Sequence, residues 1–134
     1  PLFDAYRVFY GQASDIVTAS AFLTERMRNR DSVIFLASYE GHFAGFTQLY
    51  TTFSSVSLQP VFILNDLYVK VDFRKKGIGE ALLEHAKEFC TNKGFKGLAL
   101  ETAIDNPAQK LYERLGWEKD THGFHYFWPV KNKN

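Results

Sequence analysis

Residues 64–90 read LNDLYVKVDFRKKGIGEALLEHAKEFC, and this stretch decides the fold. Apolar residues run through Phe62, Ile63, Leu64, Leu67, Val69 and Val71, which predicts a strand over Val61 to Val71 with two polar residues, Asn65 and Asp66, set into it. From Gly77 onward the spacing changes. Ile78, Leu82, Ala86, Phe89 and Cys90, with Leu83 beside them, form the stripe of an amphipathic helix. Between strand and helix lie Arg74, Lys75, Lys76, Gly77, Ile78 and Gly79. A helix start presents free main-chain N–H groups and a partial positive charge, so it attracts anions. Two glycines let a ligand approach the amides, and three cationic side chains stand beside them. A pyrophosphate suits that concavity; a solvated basic turn is the plainer alternative. Other phosphate loops fit poorly. The dinucleotide fingerprint needs a third glycine or alanine where Leu82 stands, and no Gly-Lys-Ser/Thr follows for a Walker loop.

The 134 residues suit one domain, 1–134, with 46% hydrophobic and 16% aromatic residues to fill a core. A net charge of +1 gives no general field for polyanions, so the basic cluster favours one small anionic ligand over a nucleic acid. The single cysteine, Cys90, lies on the helix stripe as a packing residue, which is compatible with a reducing compartment. No apolar run reaches the length of a membrane span. Of the four histidines, His42, His85, His122 and His125, the pair His122-x-x-His125 has no cysteine or tight carboxylate cluster around it and His85 belongs to a helix polar edge, so no metal is expected.

In chain order, Leu2 to Tyr10 reads as a helix ending at Gly11. Ser14 and Asp15 open a second helix that carries Ile16, Ala19, Leu23 and Met27 on one face to about Asn29. Val33 to Tyr39 and Phe43 to Tyr50 read as strands joined at Glu40-Gly41-His42. Thr51 to Pro60 reads as a polar connector. Asn92-Lys93-Gly94 stops the long helix, and Leu98 to Thr102 is the next strand, parallel to the central one across a right-handed crossover. Asn106, Pro107 and Gly116 suit the N-cap, first turn and C-cap of a last helix, with Ala108, Leu111, Tyr112 and Leu115 as its buried stripe. Trp117 to Lys119 and Phe124 to Val130 read as a closing hairpin, and Lys131 to Asn134 as a tail.

Arg74-Lys75-Lys76-Gly77-Ile78-Gly79 after a strand resembles the acyl-CoA motif of the GCN5-related N-acetyltransferase (GNAT) superfamily, Arg/Gln-x-x-Gly-x-Gly/Ala. Downstream, Asn106, Ala108 and Leu111-Tyr112-Glu113-Arg114-Leu115-Gly116-Trp117 resemble its second motif, Asn…Ala…Leu-Tyr-Glu-x-Leu-Gly-Phe/Trp. Two motifs in the right order are far more specific than either alone. The resemblance implies an α/β (α+β) GNAT fold: a central mixed, mostly antiparallel twisted sheet with a splayed parallel strand pair and helices on both faces. The family places a strand before its first helix, so a single domain lacking its first strand is expected here.

The same resemblance implies an acetyl-CoA-dependent N-acetyltransferase acting on a primary amine by direct attack in a ternary complex. Small amines, polyamines, amino acids, aminoglycosides and peptide lysines all stay open. Asn65-Asp66-Leu67-Tyr68-Val69 is similar to a segment of diamine acetyltransferases, with Asn65 in place of their first acid. The cofactor arm would pair with main chain near Leu67, Tyr68, Val69 and Val71. Its pyrophosphate would sit on amides from Lys75 to Glu80, with Arg74, Lys75 or Lys76 near phosphate. Asn106 would contact the arm, and Lys110 would reach phosphate or solvent. Tyr112 matches the acid that protonates the leaving thiolate. Asp66, Glu101 or a water chain would take the amine's proton, and the Val69 N–H would polarise the thioester. Tyr10, Phe46 and Tyr50 are candidates to line the acceptor pocket, with core packing as the competing role. The setting implied is cytoplasmic, with an amine as partner, no nucleic acid, no membrane, and a homodimer as an open option. The alternative function is a non-catalytic CoA-binding sensor of the same fold.

Overall fold

The computed structural model describes residues 1–102, 105–121 and 126–130. The chain divides into two compact units, Pro1–Ala103 and Ile104–Asn134.

The first unit opens with helices α1 (Leu2–Phe9) and α2 (Ile16–Asn29). Asp15 caps α2 by accepting from the Thr18 N–H at 3.1 Å. Three antiparallel strands follow, β1 (Ser32–Tyr39), β2 (His42–Ser54) and β3 (Gln59–Val69). Glu40 and Gly41 join β1 to β2 with φ of 49° and 81°, the doubly left-handed turn that matches strand twist. Helix α3 (Ile78–Asn92) leads to a short β4 (Leu98–Ala99), parallel to β3, and the sheet order is β1-β2-β3-β4. The mixed sheet and the parallel pair are as the GNAT resemblance implies.

One irregularity sets which face each β3 side chain joins. Gln48 pairs with Asp66 and Leu49 with Leu64, so Asn65 is an unopposed bulge residue. Before it, Phe62 packs on Phe89 of α3 with ring centroids 5.6 Å apart. After it, Leu67 and Val69 join the α3 face, against the cluster of Ala44, Ile78 and Leu82. Asp66 and Tyr68 therefore turn to the opposite face, where Tyr6 of α1 meets Phe46 at 5.6 Å and Tyr68 at 6.1 Å. Without the extra residue, period-two alternation would carry Asp66 after Phe62 and Leu64 into the apolar α3 core.

The sequence reading needs five corrections. The connector over 51–60 is mostly strand: β2 runs to Ser54, β3 begins at Gln59, and only residues 55–58 turn. Thr51, Thr52 and Phe53 are compatible with a pleated ladder, and cross-strand pairing overrides the polar composition. Val71 is not strand; it opens a 3-10 turn, Val71–Phe73. The strand expected over 98–102 has only two residues. In the second unit, α4 spans Gln109–Arg114 rather than starting at Pro107, because Asn106 Oδ1 accepts from the Ala108 N–H at 2.9 Å and holds a local turn there. Gly116 ends α4 as expected, at φ 103°. Residues 117–121 and 126–130 carry no strand, so the closing hairpin is absent from the described residues. Its remaining positions at Phe124 and His125, with His122 and the tail Lys131–Asn134, lie outside them.

Candidate active site

The two sides of β3 differ. On the β2 side the ladder runs from Gln59 to Val69. On the β4 side, among the described residues, it holds only Phe62–Leu98 and Ile63–Ala99. The Lys70 N–H donates to the Ala44 carbonyl at 2.8 Å, which makes Gly45–Val69 the pair whose main chain turns away from β2. By alternation Leu67 shares that phase. The N–H and C=O groups of Leu67 and Val69 thus point to the side where the β3–β4 ladder has ended.

The turn after this edge leads into α3. Gly77 is the N-cap, with φ 78° and no side-chain cap hydrogen bond, and the first-turn amides follow it. A Cβ on Gly77 would meet no atom within 4 Å, so packing does not require glycine there; the left-handed backbone does. Gly79 has ordinary φ, and its Cβ would stand 3.8 Å from a Val69 methyl, an ordinary contact. Lys75 also takes a positive φ, of 63°. Arg74 is exposed, yet its side chain is engaged locally. Its Nε donates to the Val69 carbonyl at 3.0 Å, and its guanidinium lies over the rings of Phe9 at 5.2 Å and Tyr68 at 5.9 Å. Lys76 Nζ lies 5.2 Å from the Tyr39 ring centroid.

On the α1 face, Asp66 is buried at 5% exposure and Gln48 at 0%. Gln48 Nε2 donates to Asp66 Oδ2 at 2.6 Å, and Asn65 Nδ2 donates to Oδ1 at 3.1 Å. An ionised carboxylate is tolerated at such depth only with donors of this kind. Tyr50 follows Gln48 by two residues on the same face. Burial pushes its phenol above the ordinary range, and the negative Asp66 adds to the rise. Tyr50 is half-buried, Phe46 is buried at 3%, and Tyr10 is exposed. Phe46 belongs to a ring cluster with Phe3 and Tyr6, and Tyr10 stacks edge-on against Tyr6 at 5.0 Å.

In the first unit, then, Asp66, Phe46, Tyr50 and Tyr68 share the α1 face, where the Arg74 guanidinium lies over Tyr68, whereas Leu67, Val69 and the α3 start belong to the opposite face. Val71 stands beyond the strand at 68% exposure. Glu101 is exposed and lies past the end of β4, so strand alternation does not aim it. In the second unit Tyr112 is buried at 9%, with its ring 5.9 Å from that of Trp117. Asn106 is occupied by the local turn, and Lys110 is exposed on α4. Two residues escaped the sequence reading. Gln48 was legible as the polar position between Phe46 and Tyr50 on a strand. Gly45 had no local signal; its need for glycine comes from the neighbouring strand, since a Cβ would stand 2.6 Å from the Tyr68 carbonyl oxygen. Among the described residues no group of three or more His, Cys, Asp or Glu side chains gathers as a metal would require. No helix among them is long and apolar enough to cross a membrane.

A family model described as "Acetyltransferase (GNAT) family" matches residues 2–117. The Bacillus subtilis (strain 168) protein named "Uncharacterized N-acetyltransferase YhfO" is 51% identical over 134 residues, covering 99% of this chain and 90% of its own. A Haemophilus influenzae protein named "Probable acetyltransferase" is 36% identical over 126 residues, covering 84% and 86%. A crystal structure of a protein described in the same words superposes with a TM-score of 0.91 at 39% identity, covering 99% of this chain and 90% of that one.

Proposed function

The chain belongs to the acetyltransferase (GNAT) family and is an N-acetyltransferase, and from that premise we propose that it moves the acetyl group of acetyl-CoA directly to a primary amine in a ternary complex. One observation carries this proposal: among the described residues the β3–β4 ladder stops after Ile63, and the main chain of Leu67 and Val69 faces that side. An extended arm bearing amides can add to such an edge as a pseudo-strand. The uncapped α3 start, with Gly77 left-handed, offers amides from Lys75 to Glu80 for a diphosphate. These residues fit the cosubstrate, which supplies an acetyl group activated as a thioester.

This chain's groups divide the remaining work. The Val69 N–H polarises the thioester carbonyl. Asp66 receives the ammonium proton, since only the neutral amine attacks; Gln48 and Asn65 keep its carboxylate supplied with donors. Tyr50, Tyr68 and the exposed Tyr10 border the acceptor on the α1 face, whereas Phe46 serves mainly as the floor beneath α1. Tyr112 protonates the departing thiolate, a role that rests on the Leu111–Trp117 motif. The chain acts as one domain in the cytoplasm, where acetyl-CoA is available.

The test is thiol release from acetyl-CoA with diamines, amino acids, an aminoglycoside and a lysine peptide, with acetylation read by mass. Turnover with at least one primary amine is expected. Tyr112→Phe should lower that turnover ~10²–10⁴-fold with acetyl-CoA affinity nearly unchanged. Acetyl-CoA binding without transfer to any amine would overturn the proposal in favour of a CoA sensor, and full turnover by Tyr112→Phe would remove Tyr112 from the acid role.

A further inference from the structure

Gln48 has the features of a residue placed for chemistry rather than for packing. It is 0% exposed on a strand whose neighbours on that face, Phe46 and Tyr50, are aromatic. Its Nε2 is committed to Asp66 at 2.6 Å. The reverse amide orientation would set a carbonyl against a carboxylate, so the pairing fixes which end faces Asp66. The other end, Oε1, is buried and accepts from no donor among the described residues. Buried acceptors are nearly always matched by a protein donor or an ordered water.

We propose that Gln48 is a positioning residue for proton removal: it fixes Asp66 through its N–H and, through Oε1, orients a water between Asp66 and the incoming ammonium. The stereochemistry follows from counting. Water has two O–H donors, and Asp66 and the unmatched Gln48 Oε1 are two acceptors on hydrogen-bonded side chains. With both donors taken, the water presents only its lone pairs, and an ammonium N–H is the partner they accept. An N–H bond then breaks, and its electron pair stays on nitrogen. The proton joins the water as a water O–H proton passes to Asp66. The products are a neutral amine and a protonated Asp66, with no further reactant needed. This inference rests on Asp66 being the proton acceptor proposed above.

The test uses the full chain with acetyl-CoA and the amine that releases thiol fastest in the panel. Gln48→Met keeps the bulk and removes both polar ends; Gln48→Glu keeps the shape and removes the N–H. Both should lower kcat about 10–100-fold with acetyl-CoA affinity unchanged. In the unaltered protein, kcat/KM for the amine should fall in D2O with a curved proton inventory, the signature of two protons in flight. A folded Gln48 variant at full rate, or no slowing in D2O, overturns the inference. The layers separate cleanly. Full turnover by Asp66→Asn removes the base and Gln48's role with it. An inactive Asp66→Asn beside a fully active Gln48→Met removes Gln48 alone. Silence with every amine removes the transferase chemistry beneath both.

Discussion

The two sides of β3 are built from one stretch of chain and do opposite things. Toward β2 the strand is paired from Gln59 to Val69 except at the Asn65 bulge, tightly enough that Gly45 has no room for a Cβ beneath the Tyr68 carbonyl. Toward β4 the described residues make two pairs, Phe62–Leu98 and Ile63–Ala99, and no more. A sheet that must bind an extended amide-bearing ligand needs both: one side to hold the strand rigid and one side left unfinished. In the proposed function the ligand adds on the side with the shorter ladder, and the longer one holds the strand.

The sharpest way to break this contrast is with proline at adjacent positions. Tyr68 lies in the hydrogen-bonded phase toward β2 and Val69 in the opposite phase. Tyr68→Pro removes a ladder N–H and should abolish or severely lower the thermal transition, read by circular dichroism. Val69→Pro removes an N–H that the ladder does not use, as proline is tolerated where its missing donor faces outward. It should stay folded yet lose about 10²–10³-fold in kcat, the usual cost of one oxyanion donor. Equal loss of stability in the two variants would erase the distinction between the sides.

The glycines sharpen the same point with smaller effects. Gly45→Ala forces a Cβ to 2.6 Å from backbone and should destabilise by about 1–3 kcal/mol in urea unfolding, as overpacked cores do. Gly79→Ala meets only an ordinary 3.8 Å contact inside α3. It should stabilise by about 0.5–1 kcal/mol through reduced backbone freedom, with acetyl-CoA affinity kept. A penalty at Gly79 as large as at Gly45 would show that the α3 start is packed like the β2 side.

These residues also show how far the sequence could be read. The strand-turn-helix of residues 64–90 was legible because its signals are local: a period change at Gly77, two glycines and three cations. The polar pair Asn65-Asp66 was visible as an interruption, but not that Asn65 is a bulge, because a bulge is defined by the partner strand. The face of Asp66 therefore escaped, and Gln48 with it. Gly45 escaped for the same reason. The region after β4 was read less well. Asn106, Pro107 and Gly116 all suit a helix, yet Asn106 spends its side chain on a turn and α4 shrinks to six residues. Short elements are decided by such local hydrogen bonds, which compete with propensity.

The smallest expected effect lies on the α1–α2 corner, which covers the Asp66 face. Asp4 is buried at 7% exposure and accepts from the Ser14 hydroxyl and the Asp15 N–H, each at 2.7 Å. The Ser14 hydrogen bond chiefly, then the Asp15 amide, hold its carboxyl below the ordinary value of 3.8. A carboxylate with a depressed folded pKa contributes stability that is fully present above its unfolded pKa and is lost as pH falls through the folded one. The contribution should therefore be intact at neutral pH and disappear on acidification below 3.8. Asp4→Asn keeps the shape and removes the charge, so its melting temperature should fall less steeply on acidification below that value than that of the unaltered chain, while the two differ by a constant amount above it. Parallel melting curves at every pH would mean that Asp4 fastens α1 to α2 by shape alone, and that the acceptor face is not tied to the protonation of this corner.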